Sequence, residues 1–124
     1  MKIINKKNYK TFLRLKRKIR IRKKIWGTAE KPRLTVFKSI KYTYIQAIND
    51  VKGHTITSCS VIDKTFSSEN KINKMDIAFI VGKNLGIKLI DIGIKKAVFD
   101  RNGYKYSNRI ARVGDGIRES GIQM

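Results

Sequence analysis

The chain has 124 residues, 41% of them hydrophobic, which suits one compact body and excludes a chain too polar to fold. It carries 29 Lys and Arg against 9 Asp and Glu, a formal net charge of +20. Such a body repels itself until a polyanion neutralises it, which makes nucleic acid the first partner to consider and an anionic membrane the second.

The charge is concentrated at the start. Residues 1–31 hold 13 Lys and Arg and one acid, Glu30. This marks residues 1–26 as a basic arm and residues 27–124 as a single α/β domain. Between Asn5 and Trp26 no Gly or Pro interrupts the chain, so a helix is allowed. Its apolar residues at helical spacing are Phe12, Leu15 and Ile19, a thin stripe to bury, with bases on nearly every other side. Two readings stand: a solvated, frayed tail, or an arm that orders when its charges meet phosphates.

After Gly27 and Lys31-Pro32 the texture changes. Arg33 to Lys38 reads as a β-strand, Tyr42 to Ile48 as a second, and Thr55 to Ile62 as a third, with a turn at Asn49 to Gly53. Short links make these an antiparallel meander. Asp63 to Ser68 reads as a loop, and Ser68-Glu69 as the start of a helix with Ser68 as N-cap. Ile72, Met75, Ala78, Phe79, Gly82, Leu85 and Leu89 form its core-facing stripe, and Gly93 closes it. Lys96 to Asp100 reads as a short buried strand, laid parallel to a meander strand by the preceding helical crossover. Asn102-Gly103 turns the chain into a last helix from about Asn108, with Ile110, Val113 and Ile117 buried and Gly121 at its end. The predicted fold is a mixed sheet, three antiparallel strands plus one parallel, with two packed helices behind a basic N-terminal helix.

At this level of detail the residues resemble a known family. Gly27-Thr28-Ala29-Glu30-Lys31-Pro32-Arg33-Leu34-Thr35-Val36-Phe37-Lys38-Ser39 is similar to the opening of the bacterial-type large-subunit ribosomal protein family L-eighteen. Tyr44-Ile45-Gln46, Asp50-Val51-Lys52-Gly53-His54-Thr55, Ile94 to Tyr104, and Arg118-Glu119-Ser120-Gly121-Ile122 follow in the family's order and spacing. The resemblance implies a ribonuclease-H-like core and a structural, non-catalytic role. It implies binding of 5S rRNA and its seating on 23S rRNA in the central protuberance, with neighbouring 5S rRNA-binding ribosomal proteins as further partners. It implies the ribosome of a bacterial cytoplasm, or alternatively of a plastid stroma. The chain departs from the family pattern at Tyr106-Ser107-Asn108-Arg109, where Asn108 stands for a usual Gly, a replacement that a left-handed turn accepts at moderate cost. Ile40 and Met124 also depart from it.

RNA recognition combines phosphate neutralisation with stacking of splayed bases on aromatic or guanidinium planes. In the arm, Arg14, Arg17, Lys18, Arg20, Arg22, Lys23 and Lys24 are the candidates for phosphate, because planar Arg can bridge two phosphate oxygens. The bland reading is a solvated basic face. In the meander, alternation places Tyr42, Tyr44 and Gln46 on one face, joined at the hairpin end by Ser39 and Lys41, with Arg33 and Lys38 on the adjacent strand. There the bland reading is cross-strand packing. A third set follows the last strand: Arg101, Tyr104, Tyr106, Asn108, Arg109 and Arg112, at a strand's carboxyl end running into a helix N-terminus. Asp100 is expected to hold Arg101 or a loop amide.

Catalysis finds little support. One cysteine, Cys59, and one histidine, His54, preclude an internal disulfide and a thiolate–imidazole zinc set, and they fit a reducing compartment. They stand five apart in a predicted strand, hence on opposite faces. Asp50, Asp63, Asp76, Asp91 and Asp100 are scattered, whereas two-metal nuclease chemistry needs converging carboxylates. No P-loop or dinucleotide fingerprint occurs. No metal, cofactor or small-molecule substrate is therefore expected. No apolar run approaches the roughly 20 residues that cross a bilayer, and no apolar signal core follows the basic start, although an Arg-rich transit peptide stays open. The stripe on the arm is too thin for a membrane-surface helix. A sequence-tolerant polyanion binder remains the alternative, since phosphate contacts alone carry affinity.

Overall fold

The computed structural model describes residues 6–39, 42–60 and 74–124. In chain order these form α1 (Lys6–Arg22), β1 (Arg33–Lys38), β2 (Thr43–Asn49), β3 (His54–Ser60), α2 (Lys74–Ile92), β4 (Val98–Asp100) and α3 (Asn108–Glu119). The strands make one mixed sheet in the order β3-β2-β1-β4. β1 pairs antiparallel with β2 and parallel with β4, as the crossover predicts, and β2 pairs antiparallel with β3.

Alternation along β2 sets the two faces. Thr43, Ile45, Ala47 and Asn49 are buried, while Tyr44, Gln46 and Ile48 are half-buried on the other side. The buried side, with Leu34, Val36 and Cys59, meets Ala78, Val81, Leu85 and Leu89 of α2 and Ile110, Val113 and Ile117 of α3. The two helices pack closely because glycines line their seam. A Cβ on Gly82 would strike the Val113 carbonyl, and one on Gly116 the Phe79 carbonyl.

Local chemistry explains the ends. At the end of α2 the Gly93 amide donates to the Ile90 carbonyl and the Ile94 amide to the Leu89 carbonyl, with Gly93 at φ +94°. This pattern satisfies two orphan carbonyls and needs the left-handed residue that Gly supplies. The predicted start of this helix at Ser68 and Glu69, and Ile72 of its stripe, lie outside the described residues, as do the end of the third predicted strand at Val61-Ile62 and the Asp63–Ser68 loop.

Two expectations shift. The last strand is shorter than predicted: Lys96 pairs with Gln123 in an isolated parallel bridge, and the ladder with β1 begins only at Val98. In β3 the register slips between Ala47 and Ile48, so that Thr57 faces Ala47 but Thr55 faces Ile48. This β-bulge absorbs Ile56 and reverses the side-chain parity beyond it. His54 therefore pairs with Asn49 and Cys59 with Ile45, both helix-side positions of β2, and the opposite-face expectation fails.

Candidate nucleic-acid interface

α1 carries nine Lys and Arg and no acid. Its sequence suggests that Phe12, Leu15 and Ile19 are its buried side. The structure reverses this: Phe12 and Leu15 are each 44% exposed and Ile19 60%. The helix turns Arg14, Arg17 and Arg22 to the body instead, because the body offers them matched acceptors. Arg17 Nε donates to the Gly103 carbonyl at 2.8 Å. The Arg14 guanidinium lies 4.6 Å from the Tyr104 ring centroid. Arg22 donates to both Asp50 oxygens at 3.3 and 3.4 Å and sits 5.6 Å from the Trp26 ring centroid. Gly103, at φ +78°, comes so close to the backbone at Arg14 that a Cβ would not fit. Lys18 is half-buried on the same helix, while Arg20, Lys23 and Lys24 are exposed and free to meet phosphate.

Where α1 leads into the sheet, acids and bases concentrate. Arg33 donates from Nε to Asp50 Oδ2 at 2.9 Å and from Nη1 to Asp100 Oδ2 at 2.6 Å. Asp50 also accepts from the Gly27 amide at 2.8 Å. The hydrogen bond from Arg33 holds the Asp50 carboxyl at about 2, against the desolvation that opposes ionisation and with help from Gly27 and Arg22. Burial would lower the Arg33 pKa, but its bonds to the two carboxylates outweigh burial and raise it. Arg33 thus leaves the RNA-contact set, since its guanidinium is buried and consumed by Asp50 and Asp100. The scattered-acid expectation also needs amending, as two of the five carboxylates converge here, each neutralised by arginine.

The sheet face turned away from α2 and α3 carries the second set. Phe37 and Tyr44 are cross-strand partners in β1 and β2. Gln46 Nε2 donates to the Tyr44 hydroxyl at 2.8 Å. Phe37 meets Tyr104 edge-on at 6.5 Å. Tyr104 in turn has Lys38 Nζ 5.3 Å from its centroid as well as Arg14, and its hydroxyl donates to the Lys38 carbonyl at 3.3 Å. One face of the sheet therefore carries Gln46 and Tyr44, then Phe37 as the cross-strand neighbour of Tyr44, then Tyr104 with Arg14 of α1 over its ring. Phe37, half-exposed, was missing from the sequence-derived set. Its pairing with Tyr44 was the available signal.

At the hairpin end, Ser39 and Tyr42 are exposed and Arg109 holds the turn together. Its Nη1 donates to the Ser39 carbonyl, and its Nη2 to the Tyr42 carbonyl and Thr43 Oγ1, each at 2.8 Å. Arg109 is thus engaged as a staple rather than presented as a bare cation. Lys41 lies outside the described residues.

The loop after β4 divides its candidates. Asp100 Oδ1 accepts from the Asn102 amide at 2.8 Å, the loop-amide role expected of it, while its other oxygen takes Arg33 rather than Arg101. Arg101 Nη1 donates to the Tyr104 carbonyl. Asn102 and Gly103 both have positive φ, and the Tyr104 amide closes the turn on the Arg101 carbonyl, a type I′ geometry that favours an Asn-Gly pair. Tyr106 departs to the helix side. It packs edge-on to Phe99 at 5.6 Å and receives a hydrogen bond from Arg118, so it does not share a surface with Tyr104. Asn108 stands at φ +51°, a left-handed conformation that Asn accepts at moderate cost. Arg112 lies over the Phe79 ring at 4.6 Å and pairs with Asp115 at 3.3 Å, remote from α1's contacts.

Among the described residues no three His, Cys, Asp or Glu side chains gather where they could hold a metal ion. His54 and Cys59 share a side of β3 but are separated by five residues, about 16 Å of extended chain. No helix among the described residues is long and apolar enough to cross a membrane.

Comparison with known proteins points to one family. Residues 8–124 match the family described as ribosomal L18 of archaea, bacteria, mitochondria and chloroplasts. The large ribosomal subunit protein uL18 of Clostridium kluyveri is 49% identical over 118 residues, spanning 95% of this chain and 98% of the relative. That of Finegoldia magna is 47% identical over the same shares, and that of Staphylococcus haemolyticus 46% identical over 92% and 94%. With a basic helix docked beside an aromatic sheet face, and near-complete coverage by the family and its relatives, the chain belongs to the ribosomal L18 family.

Proposed function

We propose that this chain, a structural and non-enzymatic protein of the large ribosomal subunit, binds 5S rRNA and helps attach it to 23S rRNA in the central protuberance. Its bacterial relatives indicate the ribosome of the bacterial cytoplasm. In this reading residues 1–26 are an RNA-binding arm and residues 27–124 the domain that gives the arm its direction. The observation that carries the reading is the row of Tyr44, Phe37 and Tyr104 beside Arg14, together with exposed Arg20, Lys23 and Lys24 on and just beyond α1. Phosphate contacts on α1 supply affinity and aromatic planes supply preference for unstacked RNA.

The test is binding of the full chain to 5S rRNA and to a size-matched transfer RNA, titrated across salt. Preference for 5S rRNA at physiological salt, reduced by Tyr44→Ala and with a shallower salt slope in Arg20→Gln/Lys24→Gln, is expected. Equal affinity for both RNAs, collapsing together as salt rises, would make this a general polyanion binder.

A further inference from the structure

Two anchors hold α1, and one chain of hydrogen bonds joins them through the body. Arg22 donates to both oxygens of Asp50. Asp50 also accepts from Arg33 at 2.9 Å, and Arg33 reaches on to the fully buried Asp100 at 2.6 Å. The other oxygen of Asp100 accepts from the Asn102 amide, and the carbonyl of the next residue, Gly103, accepts from Arg17. The circuit therefore leaves α1 at Arg22 and returns to it at Arg17, about 7.5 Å away along the helix axis. A helix held at one point swings; held at two it keeps its direction. The returning loop also carries Tyr104, so the same bonds fix α1 against the row of Tyr44, Phe37 and Tyr104. On charge alone an acid in a chain of net charge +20 opposes the binding of a polyanion. Its place in this circuit gives Asp50 the opposite effect.

We propose that Asp50 is a positioning residue for RNA binding. It touches no nucleotide; through Arg22 on one side, and through Arg33 and Asp100 on the other, it holds the cations of α1 and the aromatic sheet face in one fixed register. The inference rests on the 5S rRNA reading above and names what makes that binding selective. Two surfaces in fixed register engage one folded RNA as a single site, whereas a swinging helix must be ordered again at each encounter. Binding without preference needs no register, since phosphate contacts alone carry affinity for any RNA.

The experiment compares the full chain with Asp50→Asn and with Arg17→Lys/Arg22→Lys, which keeps the charge but loses both guanidinium anchors. Affinities for 5S rRNA and for a size-matched transfer RNA are measured across a potassium chloride series, at a temperature where circular dichroism shows each variant folded. Asp50→Asn should bind 5S rRNA about 10-fold weaker at physiological salt, although it is more positive than the unaltered chain. Its affinity for transfer RNA should hold or rise, with a salt slope steeper by up to about one as Arg22 turns to phosphate. The lysine variant should lose 5S rRNA affinity in the same way and keep its affinity for transfer RNA. If Asp50→Asn does not fold, the lysine variant decides, because it leaves the bonds from Arg33 to both carboxylates in place. If the variants bind 5S rRNA as tightly as the unaltered chain, or tighter, the inference is overturned while the rRNA-binding reading stands. If both RNAs weaken by the same factor, Asp50 serves only the fold and the inference is likewise overturned. If the unaltered chain shows no preference for 5S rRNA, that reading fails and the inference with it.

Discussion

Arg33, the first residue of β1, and Asp50, just past the end of β2, are joined through Nε and Oδ2 at 2.9 Å. The pair closes the end of the hairpin opposite Arg109, and Asp50 passes the contact on to Arg22 of α1. One carboxylate thereby ties the first helix to the sheet.

Removing Arg33 should be more damaging than removing any other arginine. Asp100 is fully buried and Asp50 nearly so, and Arg33→Met would leave both without their main counter-charge. The expected loss is about 3–5 kcal/mol, read as a lowered midpoint in urea unfolding. A loss under 1 kcal/mol would mean that the two carboxylates find other partners.

Acid should weaken the fold through Asp50. Its folded-state pKa is depressed from 3.8 to about 2. The stabilisation is therefore complete above pH 4 and is lost as pH falls through about 2. The shift corresponds to roughly 2 kcal/mol. Asp50→Asn should be less stable than the unaltered chain at neutral pH, and the gap should narrow between pH 4 and 2. A gap independent of pH would remove ionisation from the explanation.

Asn108 is held at φ +51°. Asn108→Gly should raise stability by about 0.5 kcal/mol, and Asn108→Ala should lower it by about 1 kcal/mol, because a Cβ without a compensating amide is strained there. Thermal unfolding of the two variants reads the sign directly.

At Gly82 and Gly116 the α2–α3 seam has no room for a Cβ. Gly82→Ala would press a methyl onto the Val113 carbonyl, and Gly116→Ala onto the Phe79 carbonyl. Each should cost about 2–3 kcal/mol as the helices are pushed apart. Gly53→Ala, where nothing lies within 4 Å, isolates the backbone cost of a positive φ and should cost less.

Much of the fold was legible because short-range patterns determine it. Alternation from Thr43 to Asn49, the three-and-four spacing of Ala78, Gly82, Leu85 and Leu89, and the Gly93 cap each report a local preference that tertiary packing then respects. The bulge at Ile56 left no such mark, and it alone inverted the reading of His54. The buried arginine was illegible for another reason. Asp50 lies 17 residues from Arg33 and Asp100 lies 67 away, so nothing near Arg33 distinguishes it from a surface cation.

The candidate site divides on the same line. Tyr44 and Gln46 lie where alternation puts them, because a strand's period is fixed. Tyr104 and Tyr106 share the same period on paper but part company, since the type I′ turn and the Phe99 contact carry them to different sides. Sequence hydrophobicity also misled at α1. Apolar residues at helical spacing indicate a buried face only when the body offers an apolar surface, and this body offers a carbonyl, a carboxylate and a ring to three arginines.

The anchor of α1 on Gly103 has a consequence in time. Arg17 precedes Gly103 by 86 residues. Translation at roughly 5–20 residues per second separates the two by several seconds. For that interval the residues of α1 have been made and the loop that anchors them has not. β1, likewise, must wait for β4 to complete its outer edge. Each newly made molecule therefore passes through a stage in which nine cations are present and their own domain is not.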